Sequence, residues 1–234
     1  MPIPELSPRQ IVLLGILAST AAGLATGVGA LPGLYFRDLT RRALDSMLGF
    51  AAGIMLAATC FSLIVPGIGY GQAIYGSTLA AVAAMVVGIL FGAVFLDRLD
   101  KWLPHEHFVK DREGPSTSLK KTWLFIIAIM LHNFPEGLAV FLPLLREGYG
   151  RGRALWIATA TGLVEPVGGL LGASLVTVFR PLLPLGMAFA AGAMLFVISD
   201  EIIPETHRGG NERAATFGII VGFVVMMALD NLVG

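Results

Sequence analysis

Trp123-Leu-Phe-Ile-Ile-Ala-Ile-Met-Leu-His132-Asn133-Phe134-Pro135-Glu136 lies within an apolar stretch, 119–144, that is long enough to cross a bilayer. His132 and Glu136, four residues apart, fall on one face of a helix. Pro135 between them removes a backbone N–H and frees the carbonyl of Leu131. An imidazole, an amide, a carboxylate and a loosened carbonyl therefore meet at membrane depth. Ionisable groups there cost several kcal/mol each. A bound cation is the simplest compensation.

The rest of the chain fits that setting. Of its 234 residues, 56% are hydrophobic and 14% charged, and mean hydropathy is +0.79. A soluble domain usually carries about 25% charged residues. The composition is that of an integral membrane protein. Glycine, at 29 residues, is abundant, as polytopic bundles require where helix backbones meet. A formal charge of zero gives no electrostatic footprint for nucleic acid. The single cysteine, Cys60, excludes an intramolecular disulfide and a cysteine-rich zinc site, and reads as a small buried hydrophobe. The N-terminus lacks a basic region and a small-residue cleavage site, so the first apolar segment reads as a retained span.

Seven apolar segments are long enough to span: 9–35, 43–68, 76–100, 119–144, 153–178, 182–204 and 213–233. No strand alternation of the barrel type appears. The expected fold is all-α: one polytopic transmembrane helix bundle over 1–234, with a mobile polar loop at 101–118 that carries His105 and His107. Arg37, Arg41 and Arg42 put the loop after segment one inside, and Lys101 through Lys121 put the loop after segment three inside. The uncharged stretch 66–76 between segments two and three is outside. Segment four then has basic loops at both ends, because Arg146, Arg151 and Arg153 follow it. Either one loop breaks the positive-inside rule or a helix is missing.

Two further segments bring carboxylates next to prolines. Segment five contains Gly162-Leu-Val-Glu165-Pro166-Val-Gly-Gly169, and segment six ends Ser199-Asp200-Glu201-Ile-Ile-Pro204. Carbonyls freed by proline within a span must be satisfied by neighbours, water or an ion. Carboxylate, imidazole, amide and carbonyl ligands without thiolates suit Zn²⁺ best, with Fe²⁺, Mn²⁺ and Cd²⁺ as further candidates. A site without thiolates can also release its ion, as transport requires. Asp200 and Glu201 lie nearer a helix end, where solvated carboxylates are ordinary. His105, His107 and His207 serve equally as metal ligands or as solvated side chains. Met55, on sequence alone, reads as core packing. An intramembrane zinc protease would need His-Glu-x-x-His on one helix, and no such pair exists. No serine-nucleophile or phosphate-binding pattern occurs either, so the chain does not read as an enzyme.

These residues resemble the ZIP (Zrt/Irt-like) family of divalent-metal transporters, particularly its bacterial branch. The likeness is carried by His-Asn-x-Pro-Glu-Gly at 132–137 and Gly-Leu-Val-Glu-Pro-Val-Gly-Gly at 162–169. Leu48 to Ala58 and Ala190 to His207 extend it to nearly the whole chain. The resemblance implies a binuclear metal centre that includes His132, Asn133, Glu136 and Glu165. It implies that Met55 reaches one of the metals, and that Asp200 and Glu201 lie on a cytoplasmic release path. It implies cytoplasmic placement of 101–118, a cell-membrane location and, by the family's habit, a possible homodimer. The transported ion is then Zn²⁺ or a similar divalent cation moving toward the cytoplasm, with the lipid bilayer as the other partner and no organic cofactor. The family has eight core helices and a second Pro-Glu-Gly, whereas this chain has one, at 135–137. Segment four therefore reads as a fusion of the family's fourth and fifth helices. The other reading this leaves open is a transport-incompetent membrane protein that binds metal or pairs with a full-length partner.

Overall fold

A computed structural model of the chain describes residues 7–31, 34, 40–102, 136–145 and 148–233. Every regular element among them is helical. The first helix, α1 (Pro8–Ala30), starts at a capping box in which the Ser7 side chain and Gln10 satisfy each other's backbone donors. It is followed by α2 (Arg41–Tyr75) and α3 (Thr78–Trp102), joined through Gly76 at φ 67°. The next described helix, α4, covers Glu136–Leu145. Three more follow: α5 (Arg151–Val178), α6 (Leu182–His207) and α7 (Glu212–Val233). All but α4 are long and apolar enough to cross a membrane. The chain is thus a multi-pass membrane protein, and it carries exposed apolar faces, such as Val87, Leu90 and Phe91 of α3.

The helices fall where the hydrophobic segments predict, with three differences. The stretch 66–76, expected as a loop, is helical to Tyr75. Pro66 does not end α2 because the turn before it, Thr59–Ile64, widens to a π-helix and absorbs the missing hydrogen bond. The same device precedes Pro204 in α6, at Ile198–Ile202. Conversely α5, expected as one span, is interrupted at Leu163 and Val164 between Arg151–Gly162 and Glu165–Val178. Of the predicted loop 101–118, Lys101 and Trp102 complete α3 and the remainder lies outside the described residues.

Packing reveals an internal repeat. Phe50-Ala-Ala-Gly53-Ile-Met55-Leu56 in α2 returns as Phe189-Ala-Ala-Gly192-Ala-Met194-Leu195 in α6, each just before its π turn. Gly88 and Gly92 of α3 correspond to Gly218 and Gly222 of α7. Cβ atoms on Gly53 and Gly222 would fall on the carbonyls of Ile219 and Phe50, so α2 and α7 touch backbone to backbone. Cβ atoms on Gly192 and Gly92 would fall on the carbonyls of Ile89 and Phe189, which is the same contact between α6 and α3. Hydrocarbon offers no hydrophobic drive for helix association, so close approach at small residues supplies the attraction.

Matching residues rise together in α2 and α7, and in α3 and α6, so both pairs are parallel. By contrast α1 and α5 are antiparallel, since Gly15 faces Gly169, Gly23 faces Gly162 and Gly27 faces Thr159. The triplets α1–α3 and α5–α7 are therefore inverted copies of each other. Two groups result: α2, α3, α6 and α7 pack together and α1 packs on α5, while α4 touches α1 at Gly137 and buries Leu138, Phe141 and Leu142 against α2 and α6.

The directions also resolve the charge conflict. The ends of α1, α3 and α6 and the starts of α2, α5 and α7 share one side. That side holds Arg41, Arg42, Arg98, Lys101, Arg151, Arg153, Arg208 and Arg213. Among the described residues the other side holds Arg9 and Arg180. The described basic residues on either flank of segment four, Lys101 before it and Arg151 and Arg153 after it, lie on the same side. The described part of α4 climbs toward that side from the level of Thr26 and Ala30. Its ten residues rise about 14 Å, half a bilayer core.

Gly53→Leu is expected to cost at least about 1–3 kcal/mol, because the α2–α7 backbones must part. Gly69→Leu, with nothing within 4 Å of its Cβ, should leave stability within about 0.5 kcal/mol. Thermal melts of the two variants in detergent compare them directly.

Candidate metal site

The interruption of α5 puts Glu165 in the first turn of the helix's second half, midway along the span. Pro166 follows at a position where a helix loses nothing for lack of an N–H. The free amides of a first turn favour a carboxylate. Glu165 is only 6% exposed. Thr26 of α1, 2% exposed, directs its hydroxyl to Glu165 Oε1 at 3.5 Å. This approach depends on Gly23 and Gly162, whose Cα atoms each lie against the other's carbonyl.

Glu136, half-buried, begins the described part of α4. Its neighbour Gly137 rests on α1, where a Cβ would fall on the Thr26 carbonyl and come 2.9 Å from the Ala30 amide. Glu136 and Glu165 thus come from two helices to the same stretch of α1. Met55 is buried in a cluster with Leu138, Phe141 and Leu142 of α4 and Met194 of α6. The fully buried Thr59 donates to the Met55 carbonyl at 2.8 Å and lies against Met194 Sδ. Met55 is accordingly part of the core against the helix that carries Glu136.

Asp200 and Glu201 occupy the π turn of α6, toward the basic side, Asp200 exposed and Glu201 half-buried. The structure does not gather them with Glu136 and Glu165. Among the described residues no three His, Cys, Asp or Glu side chains form a metal-holding group. His132, Asn133, His105 and His107 lie outside the described residues. His207 Nδ1 lies 2.8 Å from the Ile203 carbonyl and from Thr206 Oγ1, within its own helix turn.

Three polar positions have no counterpart in the sequence-based site. Thr26 was hidden among small residues, and its only sequence signal is the four-residue spacing Gly15, Ser19, Gly23, Gly27 beside it. Ser62 donates to Asp230 Oδ1 at 3.2 Å, near the less basic side. By the internal repeat Ser62 stands in α2 where Glu201 stands in α6, each seven residues after its methionine. Asp45, which sequence position makes interfacial, is fully buried and accepts from Asn211 Nδ2 at 2.9 Å. It ties the start of α2 to the α6–α7 turn.

Comparison with known proteins points to one family. A family model described as "ZIP Zinc transporter" matches residues 114–230. The chain is 40% identical to "Zinc transporter ZIPB" of Bordetella bronchiseptica, covering 97% of this chain and 83% of that one. It is 39% identical to "Zinc transporter GufA" of Myxococcus xanthus, covering 94% and 99%. It is 32% identical to "Zinc transporter ZupT" of Corynebacterium glutamicum, covering 88% and 93%. The ZIPB alignment extends over 257 residues, more than the 234 of this whole chain, so the relative carries residues there that this chain lacks.

Asp45→Ala is expected to destabilise by about 1–3 kcal/mol, because it strips the Asn211 amide of a buried acceptor. Asp97→Ala breaks only exposed pairs, with Lys101 and Arg98, and should cost less than about 1 kcal/mol. Thermal unfolding of both variants measures the difference.

Proposed function

The chain belongs to the ZIP zinc transporter family, and from that membership we propose that it carries Zn²⁺, or a similar divalent cation, across the plasma membrane toward the cytoplasm. The observation that carries this reading is the buried carboxylate of Glu165 in the middle of a span, with Glu136 brought to the same stretch of α1 from another helix. The basic side of the bundle is the cytoplasmic one.

In this reading Glu165 and Glu136 replace the ion's hydration shell, with His132 and Asn133 completing the ligand set. Met55 adds a thioether from α2. Asp200 and Glu201, toward the basic side, accept the ion as it leaves. The ligands are divided between two helix groups. Glu165 belongs to the group of α1 and α5, and Glu136 stands beside the Gly137 contact with α1, while Met55, Asp200 and Glu201 belong to the group of α2, α3, α6 and α7. Displacement of one group against the other would expose the carboxylates to each side in turn, which is alternating access. Transport rather than catalysis fits the absence of a nucleophile or metalloprotease pattern from the sequence. A transport-incompetent form is not favoured, since nearly all of the chain matches proteins named as zinc transporters.

The test is zinc uptake into proteoliposomes loaded with a zinc-sensitive dye. The chain should accumulate zinc. Glu165→Ala should fall to background and lose at least tenfold in zinc affinity by calorimetry, with its helical circular dichroism unchanged. Normal uptake by Glu165→Ala would remove Glu165 from the site.

A further inference from the structure

Thr26 lies where three helices meet. Its hydroxyl reaches Glu165 of α5, its carbonyl lies beneath Gly137 of α4, and its Cβ would come 3.1 Å from a Cβ on Gly162. Side chains of Thr59, Thr159 and Thr206 turn their hydroxyls to carbonyls of their own helices, the usual habit of helical threonine. The Thr26 hydroxyl also reaches a carboxylate on another helix.

From this junction we propose that Thr26 is a positioning residue for the transported ion, aiming the Glu165 carboxylate while α1 fixes its distance from Glu136. The inference rests on the reading of these two glutamates as cation ligands. A neutral donor suits the task. It orients one carboxylate oxygen without cancelling the charge that a divalent ion needs, as a lysine or arginine would. The 3.5 Å separation is at the long limit for a hydrogen bond, so the contact orients the carboxylate without gripping it. Partners that orient a metal ligand are typically worth 10–100-fold in affinity. A threonine that only fills space would contribute its shape alone. Its hydroxyl and methyl groups can be separated, because valine keeps the shape without the hydroxyl and serine keeps the hydroxyl without the methyl.

The experiment compares Thr26→Val, Thr26→Ser and Glu165→Gln in zinc uptake by proteoliposomes, with zinc calorimetry and melting curves in detergent. The expected result is a KM for zinc raised about 10–100-fold in Thr26→Val, with a smaller change in maximal rate and an unchanged melt. Thr26→Ser should stay within about threefold of the parent chain, and Glu165→Gln should lose binding. Normal KM in Thr26→Val, whether or not Thr26→Ser is impaired, would overturn the proposal and leave Thr26 a packing residue. The site itself would still stand as long as Glu165→Gln is inactive. If Glu165→Gln binds and transports as the parent chain does, the ligand reading fails instead. Should Thr26→Val not fold, Thr26→Ala carries the same expectation with less bulk at the Gly162 contact.

Discussion

The fold depends on backbones that touch. Inside a bilayer, lipid tails are as apolar as leucine, so helices gain little by burying apolar surface against one another. What remains is dispersion at very short range, available only where no Cβ intervenes. Gly53 on Ile219, Gly92 on Phe189 and Gly23 on Gly162 are such contacts, and each joins a different pair of helices. The first two weld α2 to α7 and α3 to α6. The third brings α1 near enough to α5 for a threonine hydroxyl to reach Glu165. The polar site is thus a consequence of the glycines: with larger residues there, the carboxylate would face lipid or an opened gap.

Hydrophobic run length identified every span now visible, because a bilayer demands about twenty apolar residues whatever else a sequence does. It failed where helix geometry changes within a span. The π turn ahead of Pro66 and the interruption ahead of Glu165 leave hydropathy unaltered, since both replace hydrogen bonds rather than side chains. The ligand-type residues were legible as ionisable groups in the wrong solvent. Thr26 was not, because a threonine in a span carries no such penalty and its partner is 139 positions away in sequence. The burial of Asp45 was hidden for a related reason. Nearness to a segment end suggests water, but the α6–α7 turn folds over it. The charge pattern agrees with the directions of the described helices, since Arg41, Lys101, Arg151 and Arg208 end up on one side. Its conflict at segment four follows from the end of α3 and the start of α5 lying on one side, with most of the segment between them outside the described residues.

The two π turns link the architecture to its chemistry. Each follows a Phe-Ala-Ala-Gly-x-Met-Leu run, and each turns out of the ordinary helical register a polar group: Ser62 with Asp230 toward one side, Asp200 and Glu201 toward the other. An inverted pair of triplets thereby offers polar groups on both approaches to the carboxylates from one motif used twice. The copies have diverged in chemistry, a hydroxyl in one and carboxylates in the other, while the glycine contacts that hold them have not.

That the end of α3 and the start of α5 share a side bears on ancestry. A unit of three crossings, duplicated and joined head to tail, inverts its second copy automatically, provided the junction returns to the side it left. The connecting stretch can therefore lengthen, shorten or acquire ligands without disturbing the orientation of either copy. The segment that bears Glu136 is thus set between two copies of one frame, and Gly137 seats it against the first.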